Sequence, residues 1–215
     1  MAIKELFDIL DCQGRRTGET IERDEAHRIG AWHGAFHGLI IYERGGRGKA
    51  LFQKRAGTKK IAPGCFDVSV GGHYAVGEDA AAAGPREIKE ELGLDVKFSE
   101  LVPLGRRVFV YCFTPGVMEY EFQDVFLLPR AVELSGLLIQ KEEVDGVIEM
   151  DVEKGIALFL GKMRRLELTL HKSDGSQEKT EVAADGFVPC LDNYYLKLFL
   201  LAQRYLKGER EALVI

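Results

Sequence analysis

The sequence predicts an α+β protein, an α/β/α sandwich built around a mixed β-sheet. Three observations carry this expectation. Strand-type runs come in groups separated by single helices, so the order is not the strict strand–helix alternation of a parallel sheet. Two apolar runs, GAFHGLIIYE (34–43) and KALFQKR (49–55), flank RGGRG, a hairpin turn. The stretch LDNYYLKLFLLAQRYLKGE sets Tyr194, Leu198, Leu201 and Tyr205 at helical spacing, the mark of an amphipathic C-terminal helix.

The remaining elements follow in chain order. KELFDIL (4–10) suits a strand and DCQGRR the turn after it. TIERDEAHRIGAW suits a short capped turn or helix, and CFDVSV (65–70) a short strand. Residues 79–92 are predicted helical, although Gly84-Pro85 falls inside them. Proline removes a backbone donor, so either the helix begins near Asp79 and bends, or its regular part begins at Pro85. Strands are predicted near 103–113 and 119–128 around TPGVM, and near 145–150 before a short helix at 152–161. Residues 164–171 and 177–183 form a hairpin about KSDGSQ. Residues 1–162 are therefore expected to form one domain with an N-terminal strand extension, and 163–215 a hairpin and helix packed on it.

Composition narrows the function classes. The 215 residues fit one domain with extensions or two small ones, and 46% hydrophobic with 29% charged residues supports an ordinary core. A net charge of −5 gives no electrostatic reason to expect a nucleic-acid duplex. No run of about 18 apolar residues suggests a membrane span. Cys12, Cys65, Cys112 and Cys190 are scattered without a CxxC pair, so free thiols are expected and a zinc ribbon is not. MAIKELFDILD lacks the basic start and apolar centre of a secretory signal, which leaves a cytoplasmic location as the expectation.

The densest chemistry lies in GGHYAVGEDAAAAGPREIKEELGL (71–94). Residues three and four apart share a helix face, so Glu87, Glu90 and Glu91 point the same way while Ile88 and Leu92 face inward. Three carboxylates on one face repel unless solvated or neutralised by a cation. Taken alone, EIKEE reads as a solvated acidic face. The spacing of the whole segment changes that reading: Gly72, Glu78, Arg86-Glu87, Ile88, Glu90-Glu91, Gly93 and Leu94 stand at fixed intervals. This pattern resembles the Nudix box, the signature of hydrolases that cleave nucleoside diphosphates linked to another group. The resemblance implies the Nudix fold, with Glu87, Glu90 and Glu91 as ligands of Mg²⁺, or of Mn²⁺, and the Gly71 carbonyl as a further one. It implies structural roles for Gly72, Glu78 and Arg86, with Arg86 tying back to Glu78.

A second resemblance covers about residues 4–160. RDEAHRIGAWHGAFH, QKRAGTKKIAPGCFDVSVGGH and GVMEYEFQDVF are similar to isopentenyl diphosphate isomerase, a Nudix-fold enzyme, and to hydrolases close to it. That resemblance implies a metal site at His27, His33, His73, Glu119 and Glu121, with His27 and His33 one residue closer together here. It also implies that Arg55 and Lys59 grip a diphosphate. The isomerase needs a cysteine directly before the Gly-His pair. Here that position is Gly71, which transfers no proton, and Cys65 is six residues away. The pattern therefore favours a pyrophosphohydrolase acting on a small-molecule diphosphate, with isopentenyl diphosphate isomerase as the alternative.

A base or extra ligand is expected after the box, in QKEEVDGVIEMDVEK: Glu143 first, then Glu142, with Glu121 competing. Trp32, Phe36, Phe66 and Tyr74 are candidates to stack on a base, and core packing explains them equally well. The C-terminal hairpin and helix are placed either over the pocket or at a homodimer contact, a frequent state among such proteins.

Overall fold

The computed structural model describes residues 5–215, so the first residue of the expected 4–10 strand lies outside the described residues. Strand β1 (Leu6–Leu10) pairs antiparallel with β2 (Arg16–Glu22), a strand the sequence pattern missed because its residues are polar and mostly exposed. Helix α1 (Arg23–Ile29) follows, closed by Gly30 in the left-handed conformation at φ 69°. Strand β3 (His33–Arg44) turns through Gly45-Gly46 into β4 (Arg47–Arg55).

The expected 65–70 strand is two strands, β5 (Phe66–Asp67) and β6 (Val70–His73), and the reason is visible in the ladder. β3 and β4 pair only over Ile41–Arg44 and Arg47–Ala50, then part. β6 pairs with β3 and β5 with β4, one on each side of the opening. Ser69 sits between them. Its hydroxyl accepts from the Ile40 N–H at 2.8 Å and donates to the Leu51 carbonyl at 2.5 Å, meeting two main-chain groups that the parted ladder leaves open.

Helix α2 (Ala80–Leu92) runs unbroken through Pro85 and closes at Gly93, φ 72°. The alternative in which its regular part starts at Pro85 does not hold. Asp79 caps it, accepting from Ala81 N at 3.0 Å and Ala82 N at 3.1 Å. The chain then forms β7 (Val102–Thr114), β8 (Val117–Pro129), β9 (Val144–Asp151), α3 (Val152–Phe159), β10 (Leu166–Lys172), β11 (Gln177–Val182) and α4 (Tyr194–Leu206).

Among the described residues the main sheet has the path β11-β10-β9-β4-β3-β8-β7, with β3 and β8 parallel and the other pairs antiparallel. The sheet is thus mixed, as expected. The 163–215 region joins it directly: β10 pairs with β9, and α4 packs on α3. Side chains alternate across the sheet. Phe36 and Ile40 of β3 face α2, packing with Ile88 and Leu92. Leu39 and Ile41 face α4, packing with Tyr195, Leu198 and Phe199. No helix among the described residues is long and apolar enough to cross a membrane.

Gly84 has a packing reason. A Cβ there would meet Phe36 Cε2 at 2.7 Å and Leu101 Cδ1 at 3.3 Å, and Phe36 is itself fully buried against Phe126. Only a residue without a side chain lets α2 lie this close to β3. Helix propensity alone makes Gly84→Ala stabilising by about 1 kcal/mol, whereas overpacking costs about 1–3 kcal/mol. Urea unfolding should therefore show Gly84→Ala net destabilised; a more stable variant would contradict this packing.

Candidate metal and diphosphate cleft

The parted strands open a cavity of about 210 Å³. Its lining brings together most of the residues singled out above: Arg55, Lys59, Gly71, Gly72, His73, Arg86, Glu87, Glu90, Glu91, Glu119, Glu121 and Glu143. Eight carboxylates line it against five cationic side chains, Arg23, Arg55, Lys59, Arg86 and Arg107.

One wall is α2. Glu91 is 4% exposed, and its Oε2 accepts from Gln53 Nε2 of β4 at 3.2 Å and from the Gly71 N–H of β6 at 3.3 Å. One carboxylate thus bridges both lips of the opening. Glu87 approaches β6 so closely that a Cβ at Gly72 would lie 2.1 Å from its Cδ, which explains glycine at that position. Arg86 donates to Glu78 at 2.9 and 2.7 Å, to Glu87 at 2.8 Å, to Glu90 at 3.0 Å and to the His73 carbonyl at 3.2 Å. The expected tie from Arg86 to Glu78 is present and holds the loop before α2. Burial pushes the Glu87 carboxyl up to about 7 against the opposing pull of Arg86, and burial with the nearby Glu87 charge holds Glu91 well above the usual range.

A second group is assembled by sheet register. His33 of β3 stands opposite Glu121 of β8, which stands opposite Phe109 of β7. In the next row Ala35 pairs with both His73 and Gln123. His27 reaches the same place from α1. Ligand atoms of His27, His33, His73 and Glu119 all lie within 4.8 Å of one another. His27 Nε2, His33 Nε2 and Glu119 Oε2 are buried with no hydrogen-bond partner. Such orphaned atoms are costly unless something binds them, and three imidazoles with a carboxylate suit a divalent transition metal. The His33 Nδ1–H donates to the Ala31 carbonyl at 2.8 Å, which turns the Nε2 lone pair toward the cluster. Phe7 of β1 stacks over His33 at 4.9 Å and walls the rings from water. Glu121 is engaged differently: it accepts from His73 Nε2 at 3.0 Å and Gln123 Nε2 at 2.5 Å. Burial raises its carboxyl, but the neighbouring His33, His73 and Glu119 outweigh that and hold it low, while burial beside Glu121 raises that of Glu119.

The basic lip is paired within the protein. Arg55 donates to the Ile61 carbonyl at 3.1 and 3.3 Å and faces Asp67 at 3.5 Å, and Lys59 pairs with Glu143. Glu142 is outside the cleft lining, exposed and 4.0 Å from Lys141, so the second choice for a base does not reach the site. None of the four aromatics singled out lines the cleft either. Phe36 and Phe66 are core, Tyr74 donates to Asp124 at 2.9 Å, and Trp32 packs on Tyr120 and Phe122.

The aromatics that do line it are Phe109 and Phe113, on the cleft face of β7, and Tyr195 of α4. Sequence reasoning missed these, along with His37, Arg107, Gln123 and the 188–190 wall of Val188, Pro189 and Cys190. The alternation Arg107, Phe109, Tyr111, Phe113 was the available signal for β7. From the C-terminal segment, Asp192 accepts two bonds from Arg107 at 2.8 Å each, and Arg107 donates to Gln123 at 2.7 Å. Tyr195 donates to Asp67 at 2.9 Å.

Comparison with known proteins places this geometry. The sequence model of the NUDIX domain matches residues 32–168. An uncharacterized Nudix hydrolase of Clostridium acetobutylicum is 33% identical over 186 residues, 86% of this chain and 81% of that protein. An isopentenyl-diphosphate Delta-isomerase of Aliivibrio fischeri is 33% identical over 147 residues, 66% of this chain and 79% of that protein. A crystal structure from Deinococcus radiodurans shares the fold at TM-score 0.55 and 22% identity, covering 73% of this chain and 90% of that one.

The histidine cluster makes acid stability diagnostic. Burial, then the neighbouring His73 and His33, lowers the His27 pKa to about 3, against about 6.5 in an unfolded chain. Between those values the unfolded chain binds more protons. The contribution of neutral His27 is therefore complete above pH about 6.5 and lost as pH falls toward 3. The thermal midpoint of His27→Gln should fall less steeply than wild type between pH 6.5 and 4; parallel slopes would contradict this assignment.

Proposed function

The chain belongs to the Nudix family and is a Nudix hydrolase, an enzyme of pyrophosphate bonds; from that premise we propose that it is a Mg²⁺- or Mn²⁺-dependent pyrophosphohydrolase whose substrate is a nucleoside diphosphate linked to another group, or a related organic diphosphate. The observation that carries this reading is the gathering of Glu87, Glu90, Glu91, Arg55 and Lys59 in the lining of one cleft that holds an excess of carboxylates. Three more carboxylates than cations in a partly buried space call for divalent cations.

Glu87, Glu90 and Glu91 would hold one such ion, with the Gly71 carbonyl as a further ligand, and His27, His33, His73, Glu119 and Glu121 a second. Metal ions in such a place neutralise a diphosphate and activate the attacking water. The chain's own groups do the rest. Arg86 keeps Glu87 and Glu90 aimed into the cleft while Glu78 anchors it. Gly72 gives Glu87 its room. Lys59 and Arg55 exchange their internal acceptors for phosphate oxygens, and the release of Lys59 frees Glu143 to take a proton from the attacking water. Glu121, low in pKa and fixed by His73 and Gln123, is the other carboxylate in position to act as base. Phe109 and Phe113 line the space left for the organic group. A cytoplasmic location, and a homodimer as a frequent state of such enzymes, complete the proposal.

Isopentenyl diphosphate isomerisation stands as the second reading, favoured by the histidine cluster and by a thiol in the cleft, Cys190. Cys65, the nearest cysteine in sequence to Gly71, does not line it. Gly71 itself has no side chain to give a proton. Incubation with isopentenyl diphosphate, scored for dimethylallyl diphosphate, separates the two readings.

The decisive test is a panel of nucleoside di- and triphosphates and of sugar, dinucleotide and prenyl diphosphates, with Mg²⁺ and with Mn²⁺, scored by phosphate release. On the best substrate, Glu90→Gln and Glu91→Gln should each lower kcat/KM by about 100-fold or more. Retained turnover in both variants would sink the proposal.

A further inference from the structure

His37 enters none of the roles above, yet it lies in the floor of the cleft. It belongs to β3, is 8% exposed and pairs across the ladder with Gly71 of β6. Its Nδ1 lies 2.9 Å from the hydroxyl of Tyr194, the first residue of α4. Tyr194 is 1% exposed, and His37 is the sole hydrogen-bond partner of its hydroxyl among the described residues. A buried phenol must place its proton somewhere. It donates to Nδ1, and the neutral imidazole then carries its own proton on Nε2.

That Nε2–H has no partner among the described residues. Three cations of the cleft are engaged within the protein: Arg55 with Ile61 and Asp67, Lys59 with Glu143, Arg107 with Asp192 and Gln123. Gly71 borders the ring: a Cβ there would stand 3.5 Å from both His37 Nε2 and Cδ2, in ordinary contact. Gly71 has no positive φ, so glycine is not required by the backbone. Nε2–H is thus a free donor in the cleft floor, beside a residue with no side chain.

We propose that His37 is a substrate-binding residue: its Nε2–H, oriented by Tyr194, donates a hydrogen bond to a non-bridging oxygen of the diphosphate beside Gly71. This rests on the diphosphate reading of the cleft. It assigns the C-terminal helix a place in the site, since Tyr194 lies beyond the matched NUDIX domain at 32–168.

The probe is methylenediphosphonate, a non-hydrolysable diphosphate, titrated calorimetrically into the full chain with Mg²⁺. His37→Phe should weaken its affinity about 10- to 100-fold, the range for a hydrogen bond to a charged acceptor. His37→Gln, which keeps an N–H donor, should stay within a few-fold of wild type. Gly71→Ala should weaken binding in the wild type and add nothing in the His37→Phe background. ¹⁵N spectra of the imidazole should show His37 protonated on Nε2, and Tyr194→Phe should mix the tautomers. Unchanged affinity in His37→Phe, or equal losses in His37→Phe and His37→Gln, would overturn the inference while the diphosphate reading stands. A wild type that does not bind the probe would overturn both.

Discussion

Negative charge that the fold cannot neutralise by itself is the constraint on which this molecule is organised. Glu87, Glu91, Glu119 and Glu121 are buried or nearly so in one cleft. Specific groups answer three of them. Arg86 answers Glu87, Gln53 and the Gly71 N–H answer Glu91, and His73 with Gln123 answers Glu121. Glu119 has an oxygen with no answer at all, beside two imidazole nitrogens in the same state. Desolvated carboxylates lose several kcal/mol relative to water unless paired. A site arranged this way leaves a demand for cations.

The sheet supplies the means. Where β3 and β4 part, Ser69 takes over their main-chain bonds and the opening becomes the cleft. The registers of β3, β8 and β7 then stack His33 with Glu121 and Phe109, and Ala35 with Gln123 and Arg107, on a single face. A one-residue slip in β8 would turn Glu119 and Glu121 to the opposite face. Precision in the site is therefore inherited from strand pairing. The C-terminal segment completes it from behind, with Asp192 holding Arg107, Tyr194 holding His37 and Tyr195 holding Asp67.

How legible this was in the sequence depends on chain distance. Glu78, Arg86, Glu87, Glu90 and Glu91 lie on one loop and helix, where fixed spacing translates directly into a shared face. His27, His33, His73, Glu119 and Glu121 come from four elements, and only resemblance to a known arrangement gathered them. His37 and Tyr194 are 157 residues apart, and Arg107 and Asp192 are 85 apart, so no local pattern joined them. β2 was missed because an exposed polar hairpin carries no apolar alternation. The split of the 65–70 run was hidden because it answers to β3 and β4, not to its own residues. The reason for Gly84 lies in Phe36 of β3, which packs where its side chain would be.

The most direct test of the central claim is an anomalous difference map from crystals soaked in Mn²⁺. Density is expected between Glu87, Glu90 and Glu91, and a second peak among His27, His33, His73 and Glu119. A map with neither peak, from crystals of protein active with Mn²⁺, would contradict it.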